Sequence, residues 1–336
     1  MSNEHASHPG STKDDAEFAI VKNQLAWLGA GLIILSGVLP VLVYLFFSQE
    51  PAQGDIALRP VPLVEQAALV YAVYLIKPVY MILALAALLA LWSYLAMALR
   101  LALLFFLLGE TACAINILFF FYESTALEYL HSYLMVVCLG FLAFAVIEAV
   151  DHNLLHFSDP KAKCALLATC KGCVKYRPGP CILRRLFQWG LPLAAVVVLM
   201  PLAAQPRPLS YNLMVFGFLR NLSHALPIQI YEIRFSPLAA LALLAVSWTW
   251  LVLRGHSPHG LLISKIFLAA ALGYLGFAFM RLAFFSFYGD DLVWFVFWEE
   301  LTELILVVGI IVAVWQLQPE AGQAVRARVS EFINGG

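Results

Sequence analysis

Charge is scarce in this sequence. Asp, Glu, Lys and Arg make up 12% of its residues, about half the share of an ordinary soluble domain. Hydrophobic residues make up 62%, and the mean hydropathy is +0.86. A water-soluble fold cannot bury that much apolar surface. Alternation is missing as well: the apolar runs are solid rather than period-two, which excludes a transmembrane β-barrel. Familiar catalytic signatures are also absent. There is no G-x-S-x-G, no P-loop, no histidine-box set and no second Glu-x-x-His to complete a di-iron pattern. No enzymatic class can be assigned from motifs. Internal repeats, low-complexity tracts and lipidation motifs are not evident.

What is present is a series of apolar runs, each about 20 residues long and sufficient to cross a hydrocarbon core of roughly 30 Å. The chain is therefore expected to be an all-α polytopic membrane protein, a bundle of about eight transmembrane helices with both termini cytoplasmic. Residues 1–22 form a polar cytosolic tail. The first run, 24–47, is too long for a signal-peptide core and reads as a retained span. The long apolar stretch 62–122 divides at Arg100, giving spans at 78–98, with a possible earlier start kinked at Pro78, and at 101–122. Further spans are expected at 129–150, 187–204, 237–253, 262–288 and 292–317, all within a bundle covering 23–317. Residues 205–236 carry Asn212, Arg220, Asn221, His224, Glu232 and Arg234, polar groups too frequent for a span, and are expected to form an outer loop with an interfacial helix. Residues 318–336 form the cytosolic C-terminal tail.

The positive-inside rule supports this layout. Of 20 Lys and Arg residues, fourteen fall on inner segments, five (Arg59, Lys77, Arg207, Arg220, Arg234) on outer ones, and Arg281 within a span. A multi-pass protein of the bacterial inner-membrane type follows. Its expected partners are the lipid bilayer and a protein on the cytosolic loop, not nucleic acid.

That loop, 151–186, holds four of the six cysteines: Cys164, Cys170, Cys173 and Cys181. Their spacing is C-x5-C-x2-C-x7-C. In a reducing compartment a disulfide framework is disfavoured. Cys170-x2-Cys173 suits one tetrahedral metal, and two further thiolates would complete a four-ligand site for zinc or an iron–sulfur centre. A redox dithiol and plain reduced thiols are the competing readings. His152 and His156, spaced i,i+4, stand at the membrane edge as interfacial polar residues or metal ligands.

The last span reads FWEELTELILVVG. Glu299, Glu300 and Glu303 share part of one helix face in the outer half of the membrane. Carboxylates at that depth must face protein or a water-filled cavity. Arg281 reaches the same depth on the preceding helix, so an Arg281–Glu299/Glu300 ion pair is predicted. Glu110 is a further intramembrane carboxylate expected to join that cavity. Glu128-x2-His131 reads as a solvated helix start, and Glu148 and Asp151 as ion-paired at the inner end of their span. Three functional readings result: a component of a redox or metal-dependent membrane system, a proton- or ion-coupled transporter, and a non-catalytic sensor or assembly factor.

Overall fold

The computed structural model describes residues 58–91, 97–119, 124–152, 192–207, 209–254, 258–288 and 291–317, with isolated positions besides. The expected first span and the four loop cysteines lie outside the described residues.

In chain order the described elements are β1 (Leu58–Arg59), α1 (Leu63–Leu91), α2 (Met97–Phe119), α3 (Thr125–Val150), the short helix α4 (Pro192–Ala203), β2 (Leu209–Val215), β3 (Phe218–His224), α5 (Leu226–Arg254), α6 (Pro258–Tyr288) and α7 (Leu292–Leu317). Among the described residues, five helices are long and apolar enough to span a membrane: α1, α2, α3, α5 and α6 from His259 onward. The protein is thus a multi-pass helical membrane protein. Helix α7 has 26 residues and carries the three glutamates.

Several boundaries differ from the sequence reading. Helix α1 is described to Leu91 and α2 from Met97, so Arg100 lies within described helix α2 rather than between two spans. An arginine near the end of a membrane-spanning helix can carry its charge to the interface along its own stem, so it does not force a break. Helix α1 begins at Leu63 rather than near Pro78, and α5 begins at Leu226 rather than 237. At 29 residues each, both run about 43 Å, longer than the hydrocarbon core.

Both long helices pass a proline without stopping, and they do so in the same way. Pro78 and Pro237 lack an N–H, and their rings would strike the carbonyl four residues back. A π-turn immediately before each proline relieves the clash, at Ala72–Ile76 and at Tyr231–Phe235. In each case the residue before the proline donates five residues back: Lys77 N–H to the Ala72 carbonyl, and Ser236 N–H to the Tyr231 carbonyl.

The segment expected to be an interfacial helix is instead a β-hairpin followed by the first turns of α5. Strand β2 pairs antiparallel with β3 from Leu209↔His224 to Val215↔Phe218, and β1 adds in parallel through Leu58↔Asn212 and Arg59↔Leu213. Of the polar residues that argued against a span, Asn212, Arg220, Asn221 and His224 are strand residues, and Glu232 and Arg234 lie in the π-turn of α5. Asn221 donates from its side chain to the Asn212 side chain directly opposite, at 3.0 Å. The two-residue turn Phe216–Gly217 has positive φ at both positions, 47° and 87°, as in a type I′ hairpin turn. Leu213, Val215 and Leu222 pack on Leu69, Phe284, Leu292, Val293 and Phe295, so the sheet closes one end of the bundle. Arg59 pairs with Asp291 at 3.0 Å, and Asp291 caps α7 by accepting from Val293 N at 3.1 Å. Burial and the Asp291 charge raise the Tyr211 phenol above its ordinary value, and its oxygen also accepts from Val293 N. Arg234 donates to the Pro201, Leu202 and Ala204 carbonyls and so caps the end of α4.

Within the bundle, α3 packs between α2 and α6, α6 packs on α5, and α7 lies along α1. At Gly273 a Cβ would come within 2.7 Å of the Val136 carbonyl oxygen and 2.8 Å of Gly140 N, so α3 and α6 touch backbone to backbone there. Ser247 and Ser264 exchange hydrogen bonds to each other's carbonyls across α5 and α6, at 2.7 and 2.9 Å. At the end of the bundle away from the hairpin, Lys265 pairs with Glu148 and Asp151.

Candidate functional site: a buried carboxylate network

Four helices deliver charged side chains to one interior region on the hairpin side of the bundle. From α1 come Lys77 and Tyr80, one helical turn apart just past the π-turn. From α2 comes Glu110, from α3 His131, and from α7 Glu300 and Glu303. All are buried.

Lys77 Nζ donates to Glu110 Oε2 at 2.6 Å, to Glu300 Oε1 at 3.0 Å and to the Tyr80 hydroxyl at 2.9 Å. The Tyr80 oxygen lies 2.5 Å from Glu300 Oε2 and 2.7 Å from Glu303 Oε2, and also contacts Glu110 Oε2. A phenol has one proton to donate. It serves one of the three carboxylate oxygens around it, and two of them, Glu110 Oε2 and Glu300 Oε2, also accept from Lys77, at 2.6 and 3.2 Å.

His131 Nδ1 lies 3.1 Å from the Gly109 carbonyl oxygen. Gly109 makes that approach possible, because a Cβ there would sit 3.2 Å from the Leu134 Cβ. The other ring nitrogen, Nε2, faces Glu303 Oε1 at 3.8 Å. Glu110 Oε1, fully buried, has no hydrogen-bond partner and lies 3.4 Å from His131 Nδ1.

A second polar group adjoins the first. Arg281 of α6 pairs with Glu299 of α7 and, through Nε at 3.0 Å, with Glu232 in the α5 π-turn. Neither contact is aligned as a hydrogen bond. The guanidinium also stands over the Phe277 and Phe295 rings. His224 at the end of β3 pairs with Glu232 at 2.9 Å, and the Ser132 hydroxyl points at the same carboxylate at 3.4 Å. Between the hairpin and the helices lies a cavity of about 60 Å³, whose lining includes Glu128, His131, His224, Glu232, Arg281 and Glu299. His131 belongs both to the deep network and to this cavity wall.

Of the residues singled out from sequence, Glu110, Glu300 and Glu303 meet in the deep network, while Arg281 and Glu299 form the second group. Arg281 takes Glu299; Glu300 turns to Lys77 instead. Cys164, Cys170, Cys173 and Cys181 lie outside the described residues. Sequence reasoning missed Lys77, Tyr80, His131, His224 and Glu232. A span starting at Pro78 leaves Lys77 among the outer-loop charges. The uninterrupted apolar residues 67–76 ahead of it were the available signal. His131 is buried rather than part of a solvated helix start, and it lies one turn beyond Glu128 on the face turned to α2. Glu232 and His224 fall in the segment expected to be interfacial, and only the hairpin and the π-turn bring them inward.

Across both groups two cations, Lys77 and Arg281, face five carboxylates, Glu110, Glu232, Glu299, Glu300 and Glu303. With neutral imidazoles, three negative charges are left over. Each ionised group held away from water costs several kcal/mol unless compensated. Protons or a bound cation must balance this region. No known protein family, curated protein or solved structure matches this chain.

Proposed function

We propose that this protein is a proton- or cation-coupled membrane carrier, with the Lys77–Tyr80–Glu110–Glu300–Glu303 network as its charge-holding element. The observation that carries the reading is the pair of π-turns in α1 and α5. Helices α1 and α5 each contain a π-turn ahead of a proline, and each turn is accompanied by a buried charge: Lys77 of the network just past the α1 turn, and Glu232 of the adjoining Arg281 group within the α5 turn. π-turns within continuous helices are frequent at functional sites, and ionisable groups buried in membrane-spanning helices mark ion and substrate pathways. The cavity bounded by His224, Arg281 and Glu299 provides access from the hairpin side. In this reading the chain has eight spans in a membrane of the bacterial inner-membrane type, both termini are cytoplasmic and the hairpin lies outside. A redox or metal-dependent role for the cysteine loop rests on residues outside those described and is independent of the network.

The test uses the full chain in liposomes loaded with a pH-sensitive dye. Gradients of Na⁺, K⁺ or a divalent cation are imposed in turn. Proton movement driven by at least one gradient, and lost in Glu303→Gln, is the expected result. Proton movement equal to that of empty liposomes under every gradient refutes the carrier reading.

A further inference from the structure

The geometry points to a binding site for one divalent transition-metal ion of the zinc class, held by Glu110, His131 and Glu303. One donor atom from each of the three lies within 4.8 Å of the others, and all three residues are buried. Donor atoms around a tetrahedral zinc, bound at about 2.0–2.2 Å, stand roughly 3.3–3.6 Å apart. From separations of at most 4.8 Å, the donor atoms need to close by no more than about 1.5 Å to reach that geometry.

Two observations besides proximity favour an ion. The first is the His131 tautomer. With the Nδ1 proton donated to the Gly109 carbonyl, Nε2 presents a lone pair toward Glu303 Oε1, 3.8 Å away. Two acceptors facing each other require a proton or a cation between them. A metal-binding histidine has this arrangement, its remote N–H fixed by a backbone carbonyl. The second is the unpartnered Glu110 Oε1, which is fully buried and lies on the His131 side. In the described network the other carboxylate oxygens are already held. Lys77 and Tyr80 hold Glu110 Oε2, and the Tyr80 hydroxyl lies 2.7 Å from Glu303 Oε2. The remote atom of each candidate ligand is therefore fixed, as in an outer shell that orients metal ligands.

The charge count agrees. A divalent ion removes two of the three uncompensated negative charges, and one shared proton removes the last. Two carboxylates and one imidazole suit zinc, manganese or iron(II) better than a soft ion. Three protein ligands leave a coordination position open, and His131 places the ion beside the cavity, where water or a small ligand can complete the sphere.

This inference shares residues with the carrier reading but does not require flux. Metal binding without ion-driven proton movement removes the carrier reading alone, whereas proton movement without metal binding removes this one. The experiment uses the full-length chain in detergent with Cys164, Cys170, Cys173 and Cys181 changed to Ser, so that thiolates cannot supply the signal. After equilibration with zinc and desalting, elemental analysis is expected to find about one zinc per chain. His131→Gln and Glu303→Gln should each weaken binding by tenfold or more, and Tyr80→Phe, which removes an orienting hydroxyl, by about tenfold. So that the test does not depend on any variant folding, cobalt(II) is added to the unmutated network in the same background. Visible d–d bands without sulfur charge-transfer absorption are expected, and zinc should bleach them. Less than a tenth of an equivalent of zinc together with featureless cobalt spectra overturns the site. So does equal zinc affinity in folded His131→Gln and Glu303→Gln proteins.

Discussion

Replacing Lys77 with Met isolates the central electrostatic claim. The two side chains are close in length and volume, so the change removes the ammonium and little packing. In the native protein that ammonium donates to Glu110 at 2.6 Å, to Glu300 at 3.0 Å and to Tyr80 at 2.9 Å, all within the buried region. Removing one partner of a buried ion pair costs about 3–5 kcal/mol, because the other charge is left uncompensated. Here two carboxylates lose their cation, although uptake of a proton by one of them limits the loss. An unfolding destabilisation of about 3 kcal/mol at neutral pH is therefore expected for Lys77→Met. The second half of a double-mutant cycle supplies the sharper figure. Glu300→Gln in the Lys77→Met background removes one stranded charge, so the double variant should be more stable than the sum of the single changes by about 1–3 kcal/mol. The assay is reversible unfolding of the purified protein in mixed micelles with increasing denaturing detergent, followed by tryptophan fluorescence. Strict additivity, or a Lys77→Met protein within about 0.5 kcal/mol of the parent, would show that the ammonium does not hold the network together.

Two further changes test the scaffold. Gly273→Ala should destabilise the bundle by about 1–3 kcal/mol in the same assay, since the new Cβ meets the α3 backbone at 2.7 Å. Gly276→Ala, whose nearest neighbour is the Leu139 Cδ1 at 3.8 Å, should be nearly neutral, and equal effects at the two positions would contradict the close approach. At the hairpin turn, Gly217→Val places a branched residue at φ 87° and should cost at least about 1–2 kcal/mol, whereas Phe216→Gly relieves a non-glycine residue at φ 47° and should be neutral or stabilising in thermal unfolding.

The membrane class and the α7 glutamates were legible from sequence because both depend on local composition: long apolar runs, and carboxylates within one of them. The depth match between Arg281 and Glu299 was legible too, since a short connection between antiparallel helices fixes it. Lys77 was not, because a Lys-Pro pair resembles a span boundary when prolines are expected to end helices. The π-turn that carries α1 through Pro78 leaves no composition signature. The hairpin was hidden for a related reason. Phe216–Gly217 is not one of the common Asn-Gly or Asp-Gly turn pairs, and β2 and β3 contain the same apolar residues as the neighbouring helices.

The prolines then explain why a polar site can form in so apolar a chain. A regular helix through residue 78 is forbidden by the ring, so the backbone must widen before it, and the π-turn adds one residue to that turn. The added residue advances everything beyond it around the helix by about 100° relative to an unbroken one. Past the turn, the buried stripe Tyr80, Ala84, Leu88 and Leu91 keeps helical spacing, and Lys77 opens it on the same face. Up to the first residue of the turn, Leu69 and Ala72 are buried, Leu69 within the hairpin cluster, and this part of the helix packs on α7. The interruption thus lets one helix serve two interiors: an apolar one beneath the sheet, and a charged one facing Glu110 and Glu300. Helix α5 follows the same plan in reverse order of polarity. Its π-turn holds Glu232 against Arg281 and His224, and beyond Pro237 its buried face is Ala240, Leu244, Ser247 and Leu251. Both breaks fall next to a proline and a charge, so the position of the site is set by the two residues the helices could not otherwise accommodate.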